Sequence, residues 1–154
     1  MKKVLTPFLF LIFVSCNNSS ENTNAISEKQ LAKQESATVK GGHYEGAFTN
    51  GMKETFISFD ISEDGKKLDN LTFDGYWRCD GKLEQTRMGP EKGFDVLNNK
   101  VDAHLSEPED GGATAIRYQL KADIDGKKAK GSFRMNINAL SCDTYLLHWT
   151  AERK

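Results

Sequence analysis

The chain lacks an excess of either charge, has few prolines and carries no long apolar run. Its 21 Lys and Arg nearly balance 22 Asp and Glu, for a formal net charge of −1. A nucleic-acid binder leaves a basic footprint, so no nucleic-acid partner is expected. The longest apolar stretch, Val4 to Val14, is interrupted by Thr6 and Pro7. It is about half of the roughly 20 residues that span a bilayer as a helix. Ser-His-Asp order, a Gly-rich phosphate loop and an H-E-x-x-H pair are all missing. The three histidines, His43, His104 and His148, show no metal-ligand spacing. The reading is therefore non-catalytic, with no cofactor and no metal site. Mean hydropathy is −0.59, which marks the bulk of the chain as water-facing despite its apolar start.

What is present begins with an address. Lys2 and Lys3 precede the short apolar stretch, and a small residue, Ser15, stands before Cys16. That is the layout of a secretory signal peptide, over residues 1–15. Phe13-Val14-Ser15-Cys16 resembles the lipobox of bacterial lipoprotein precursors, with Phe13 where the family usually has Leu. The resemblance covers about the first 16 residues. It implies that the Cys16 sulfur takes a diacylglyceryl group and that cleavage makes Cys16 the first mature residue. Each buried CH₂ contributes about 0.8 kcal/mol, so two or three acyl chains anchor firmly. Asn17, in place of Asp, implies an outer-membrane destination in that family. The expected location is the cell envelope, facing either the periplasm or the outside.

Residues 16–40 form the lipidated N-terminus and a linker. After Cys16 they are mostly Asn, Ser, Glu, Lys and Gln, a composition that cannot bury enough surface to offset its ordering entropy. As a coil it would reach about 25–30 Å.

From Gly41 onward the hydrophobic period is two. Ile57, Phe59 and Ile61 share one face, with Ser58, Asp60 and Ser62 opposite. Leu71, Phe73, Gly75, Trp77 and Cys79 alternate with Thr72, Asp74, Tyr76 and Arg78. The same pattern recurs through Ile116–Ile124, Phe133–Ile137 and Tyr145–Ala151. Strict alternation marks half-buried antiparallel strands. Asp-Gly pairs at Asp80-Gly81 and Asp125-Gly126 punctuate them, and such pairs tolerate the positive φ of tight hairpins. Strands are predicted over 43–49, 53–62, 67–79, 82–88, 93–97, 100–106, 113–125 and 127–138, with a ninth over 145–153. The expectation for residues 41–154 is an all-β domain, an antiparallel β-sandwich or a small closed barrel of eight or nine strands.

Three cysteines is an odd count for an exported chain. If lipidation claims Cys16, then Cys79 and Cys142 remain as a pair in an oxidising compartment. They stand 63 positions apart, and closing that loop is worth about 4 kcal/mol by chain entropy.

Asp60, Ser62, Asp64 and Gly65 match the start of a calcium loop, but the twelfth position, which should supply a bidentate carboxylate, is Leu71. A hairpin turn is the simpler reading. Tyr76 and Arg78 project from the face opposite Trp77 and, with His104 or His148, form a candidate patch for a glycan or peptide.

The closing segment 129–154, with its Gly131-Ser132-Phe133, Cys142-Asp143 and Trp149-Thr150-Ala151-Glu152-Arg153, resembles the end of small exported bacterial β domains. That likeness implies no activity and carries over no site residue. The function expected is a non-catalytic binding or accessory module with an envelope protein or glycan as partner. The alternative is a small envelope inhibitor, comparable to lipoprotein lysozyme inhibitors, that inserts loop 106–113 or Arg87–Gly93 into an enzyme cleft. A hydrolase on a sandwich scaffold is the third reading.

Overall fold

The computed structural model describes residues 39–154. The signal peptide, Cys16 and the linker up to residue 38 lie outside the described residues; of the expected linker, Val39 and Lys40 are described, and Val39 is buried in the core. Ten strands follow in chain order: β1 Gly42–Phe48, β2 Phe56–Ile61, β3 Lys67–Cys79, β4 Lys82–Met88, β5 Phe94–Asp95, β6 Lys100–Glu107, β7 Ile116–Asp125, β8 Lys128–Ile137, β9 Cys142–Asp143 and β10 Leu147–Arg153. One 3-10 turn, Asn138–Leu140, precedes β9. All pairings are antiparallel.

Of the two architectures that the alternation allows, the closed one is found. Six strands form a hydrogen-bonded ring, β10–β1–β2–β3–β9–β8 and back to β10. The other four extend it: β4 and β5 pair with β3, and β7 then β6 continue from β8. Phe73 pairs with both Ile57 and Met88, so β2 and β4 flank opposite edges of β3. Arg78 pairs with both Leu83 and Asp143, which sets the two-residue β9 end to end with β2 along one edge of β3. The ring thus closes through a strand too short for periodicity to reveal. The expected strand over 113–125 starts at Ile116, and the one over 93–97 is reduced to two residues.

The inward faces fill the ring. Phe73 and Phe133 stack with centroids 5.5 Å apart, and Phe48 lies against both. Tyr44 stacks on Phe59 at 5.2 Å, and Trp149 meets Phe59 edge-on at 5.6 Å. The Tyr44 hydroxyl leaves the core to donate to the Gly126 carbonyl at 2.6 Å, as a buried phenol should. Bending strands into so small a ring requires backbone to approach backbone. A Cβ on Gly131 would stand 1.8 Å from the Lys121 carbonyl oxygen, and one on Gly46 2.0 Å from that of Thr150. Only glycine fits such corners.

Alternation fails at one place. Leu68 and Leu71 are both buried although three apart. The register shifts between Ser58 and Asp60, and Asn70 takes φ 53°. This is a β-bulge, and asparagine tolerates its left-handed backbone.

Candidate binding face

The outer face of β2–β3–β4 collects side chains of a kind that solvated sheet faces usually keep apart. β2 starts at Phe56, outward because Ile57 is inward, and the ring is 51% exposed. Phe56 pairs with Asp74 on β3, which pairs with Arg87 on β4. Tyr76 is the next outward residue of β3, diagonal to Phe56, with Gln85 opposite it. Diagonal partners stand roughly 7–8 Å apart, within reach of aromatic side chains. Neither ring joins the aromatic contacts of the core. Arg87 Nη1 forms a loose ion pair with Asp74 Oδ2 at 3.8 Å, too long for a hydrogen bond, so the pair still has hydrogen-bonding capacity to offer a ligand. Phe56, Ser58, Thr72, Asp74 and Arg87, with Glu45 of β1, line a furrow of about 350 Å³.

A polar relay sits beside it. The bulge turns Asn70 so that its amide donates to Asp60 Oδ2 at 2.7 Å, while Asp60 Oδ1 bonds His43 Nδ1 at 2.6 Å. The Asn70 and His43 bonds hold the Asp60 carboxyl below its usual range. The Asp60 bond in turn raises the His43 imidazole above its ordinary value. On the other ring edge, His43 Nε2 lies 3.4 Å from Glu45, which also pairs with Lys154 at 3.4 Å. The Asp64 carboxylate accepts from Ser62 Oγ and the Lys66 N–H, at 2.7 and 3.0 Å. The calcium-like stretch is therefore a hairpin turn, with Asp60 committed elsewhere.

The expected patch is not one patch. Tyr76 shares the furrow's face, one outward position beyond Asp74 on β3, but does not line the furrow itself. Arg78, two residues further along β3, donates to the Gly81 carbonyl at 2.9 Å and caps its own hairpin. His104 on β6 and His148 on β10 are separated by β7 and β8, and neither strand borders β3. Cys79 and Cys142 are joined as a disulfide. Sequence reasoning missed Phe56, Asp74 and Arg87. The parity that places Ser58 and Asp60 outward also places Phe56 there, whereas Arg87 requires the β3–β4 register.

Two larger concavities lie on the outer face of β1, β10, β8, β7 and β6. One, about 820 Å³, is lined by Glu45, Asp123, Asp125, Lys128, Lys130 and Glu152 among others, and the second, about 560 Å³, adjoins it. Their charges alternate in sign across strands: Glu152 faces Lys128, and Asp123 faces Lys130. The second is also lined by His148 and Trp149, but the Trp149 ring is buried in the core, so the smaller furrow, with Phe56 half in solvent, is the better candidate.

The two loops of the inhibitor reading are tied together. The Glu91 N–H donates to the Glu107 carboxylate at 2.7 Å, and Lys92 pairs with Glu109. Beneath them, burial and then the carboxylates of Glu107 and Glu91 push the Tyr118 phenol up to about 12. Arg117 donates to the Gly112 and Ala115 carbonyls at 2.8 and 3.3 Å, fixing the loop base. Nothing stands within 4 Å of a Cβ at Gly111 or Gly112, so the tip is open.

Compared with protein-family models, curated proteins and solved structures, the chain finds no significant match.

Proposed function

We propose that the chain is a cell-envelope lipoprotein, anchored through Cys16, whose barrel serves as a non-catalytic binding or accessory module. The observation that carries this reading is the furrow at Phe56. A large aromatic ring is held half in solvent beside a carboxylate and a guanidinium that make no hydrogen bond to each other. Exposing such a ring costs transfer free energy, and its pairing with both β1 and β3 at the start of β2 pre-organises it for a ligand. Two measurements test the proposal. Intact mass of the membrane-extracted protein should show an acylated Cys16 terminus, and Cys16→Ser should leave an unlipidated chain; a Cys16→Ser chain that stays processed and membrane-bound defeats the anchor. The immobilised barrel should retain a saturable envelope component that Phe56→Ala releases; retention of nothing defeats the module.

A second reading, the envelope inhibitor, draws support from loop 106–113. Its base is fixed by Arg117 while its glycine tip stands clear, the form an inserted loop takes. Arg87–Gly93 is a weaker insert, because its Glu91 and Lys92 are occupied in holding that loop.

A further inference from the structure

We infer that the outer face of β2–β3–β4 binds the pyranose rings of an uncharged glycan. The inference rests on the binding-module reading and names the class of ligand. Phe56 and Tyr76 flank Asp74 on one face. Sugar rings present C–H faces that pack on aromatic rings, and their hydroxyl edges need planar hydrogen-bonding partners. The Asp74 carboxylate accepts from two neighbouring hydroxyls, and the Arg87 guanidinium donates to ring or exocyclic oxygens. Ser58 and Thr72 add hydroxyls along the furrow floor. At about 350 Å³ the furrow falls at the small end of ligand sites, which run from about 300 Å³ upward.

Other ligand classes fit less well. A peptide bound by strand addition needs a free sheet edge; here that edge is β4's, whereas Phe56 and Asp74 lie on β2 and β3, which are paired on both sides and face a ligand lying across the sheet. An acidic glycan would meet the carboxylates of Asp74 and Glu45, and the cations beside them, Arg87 and Lys154, already face those carboxylates. An uncharged chain bonds to Asp74 and Arg87 without bringing an unpaired charge.

The test is calorimetric titration of the purified full chain with four uncharged hexasaccharides: α-linked glucose, β-linked glucose, β-linked mannose and β-linked N-acetylglucosamine. At least one is expected to bind more tightly than about 1 mM, an affinity of about −4 kcal/mol. Phe56→Ala and Asp74→Asn should each weaken it by about tenfold, equivalent to 1.4 kcal/mol. Tyr76→Ala should weaken it severalfold, with the melting temperature unchanged in all three. His104→Ala and His148→Ala should bind as the parent does. Binding of none of the four overturns the inference, as does binding that survives both Phe56→Ala and Asp74→Asn. Tighter binding of oligogalacturonate, an acidic control, also overturns it. If the glycans fail while the immobilised barrel still retains a protein that Phe56→Ala releases, the module stands and only the glycan assignment falls. If nothing is retained either, both fall.

Discussion

Two parts of the ring are closed in opposite ways. Along the wall of β2, β1, β10 and β8, neighbours run side by side in ladders of five or six residue pairs. At the seam, β9 makes one pair with β3 and two with β8. Side chains supply what the ladders lack there. The Cys79–Cys142 disulfide joins the end of β3 to β9. Arg134 grips Asp143 through two bonds, at 3.0 and 2.5 Å, a fork that gives direction as well as charge. Buried Thr144 accepts from the Met135 N–H at 2.9 Å. Three consecutive residues, Cys142, Asp143 and Thr144, are each pinned by a different chemistry. Immediately after them Tyr145 takes φ 55°, an uncommon conformation for a bulky residue. Its N–H donates to Asp143 Oδ1 at 2.7 Å. Backbone holds the wall, whereas side chains hold the seam.

The comparison predicts which changes the molecule cannot absorb. The largest effect belongs to the wall. Gly131→Ala would set its Cβ 1.8 Å from the Lys121 carbonyl oxygen and 2.7 Å from a Trp149 ring carbon. The first of these is backbone in the β7–β8 ladder, so no rotamer relieves it. A loss above about 4 kcal/mol is expected, seen as an insoluble chain or a collapsed denaturation midpoint. An unchanged midpoint would mean that the wall yields where the geometry says it cannot.

The seam comes next. Replacing Cys79 and Cys142 together by Ser reopens a loop of 63 positions and should cost about 4 kcal/mol by chain entropy. Urea unfolding of the parent, with and without reductant, and of the double variant measures it. Reductant should lower the parent's midpoint and leave the variant's alone. A variant as stable as the oxidised parent would show that Arg134 and Thr144 hold the seam unaided.

The same contrast explains which parts of the barrel the amino-acid sequence discloses by itself. The wall is legible because long strands repeat their period: β2, β3, β7 and β8 appear where alternation places them, β10 starts at Leu147 and leaves Tyr145 exposed outside the strand expected over 145–153, and Asp80-Gly81 marks its hairpin with φ of 45° and 76°. The seam is not, since two residues carry no period. Nor is the bulge at Asn70, a local slip that only the β2–β3 register exposes. Tyr76 is legible as an outward aromatic. Its partners Phe56 and Arg87 come from flanking strands, and pairing between strands separated by turns cannot be read from either strand alone. The grouping of Tyr76 with His104 and His148 fails for the same reason, since strands that alternate alike still occupy different sides of a ring.

The smallest predicted effect returns to the wall, on its outer side, and depends on pH. Asp60 on β2 bonds His43 on β1 and Asn70 of the bulge. His43 is raised from 6.5, chiefly by its bond to Asp60. Its contribution is complete below about pH 6.5 and disappears as pH rises through the higher folded value. Asp60 is lowered from 3.8, chiefly by the Asn70 bond. Its contribution is present above about pH 4 and is lost as pH falls through the folded value. The pair therefore stabilises the wall most between about pH 4 and 6.5. The two side chains are 46% and 39% exposed, so water screens them and the gain stays below about 1 kcal/mol. The parent's melting temperature should fall slightly between pH 5.5 and 8, and His43→Gln should remove that fall. The disulfide does not titrate and the glycine corners carry no charge, so neither Gly131 nor the Cys79–Cys142 bridge should add to the slope. A parent whose slope matches that of His43→Gln would place the pH dependence elsewhere on the ring and leave the wall held by backbone alone.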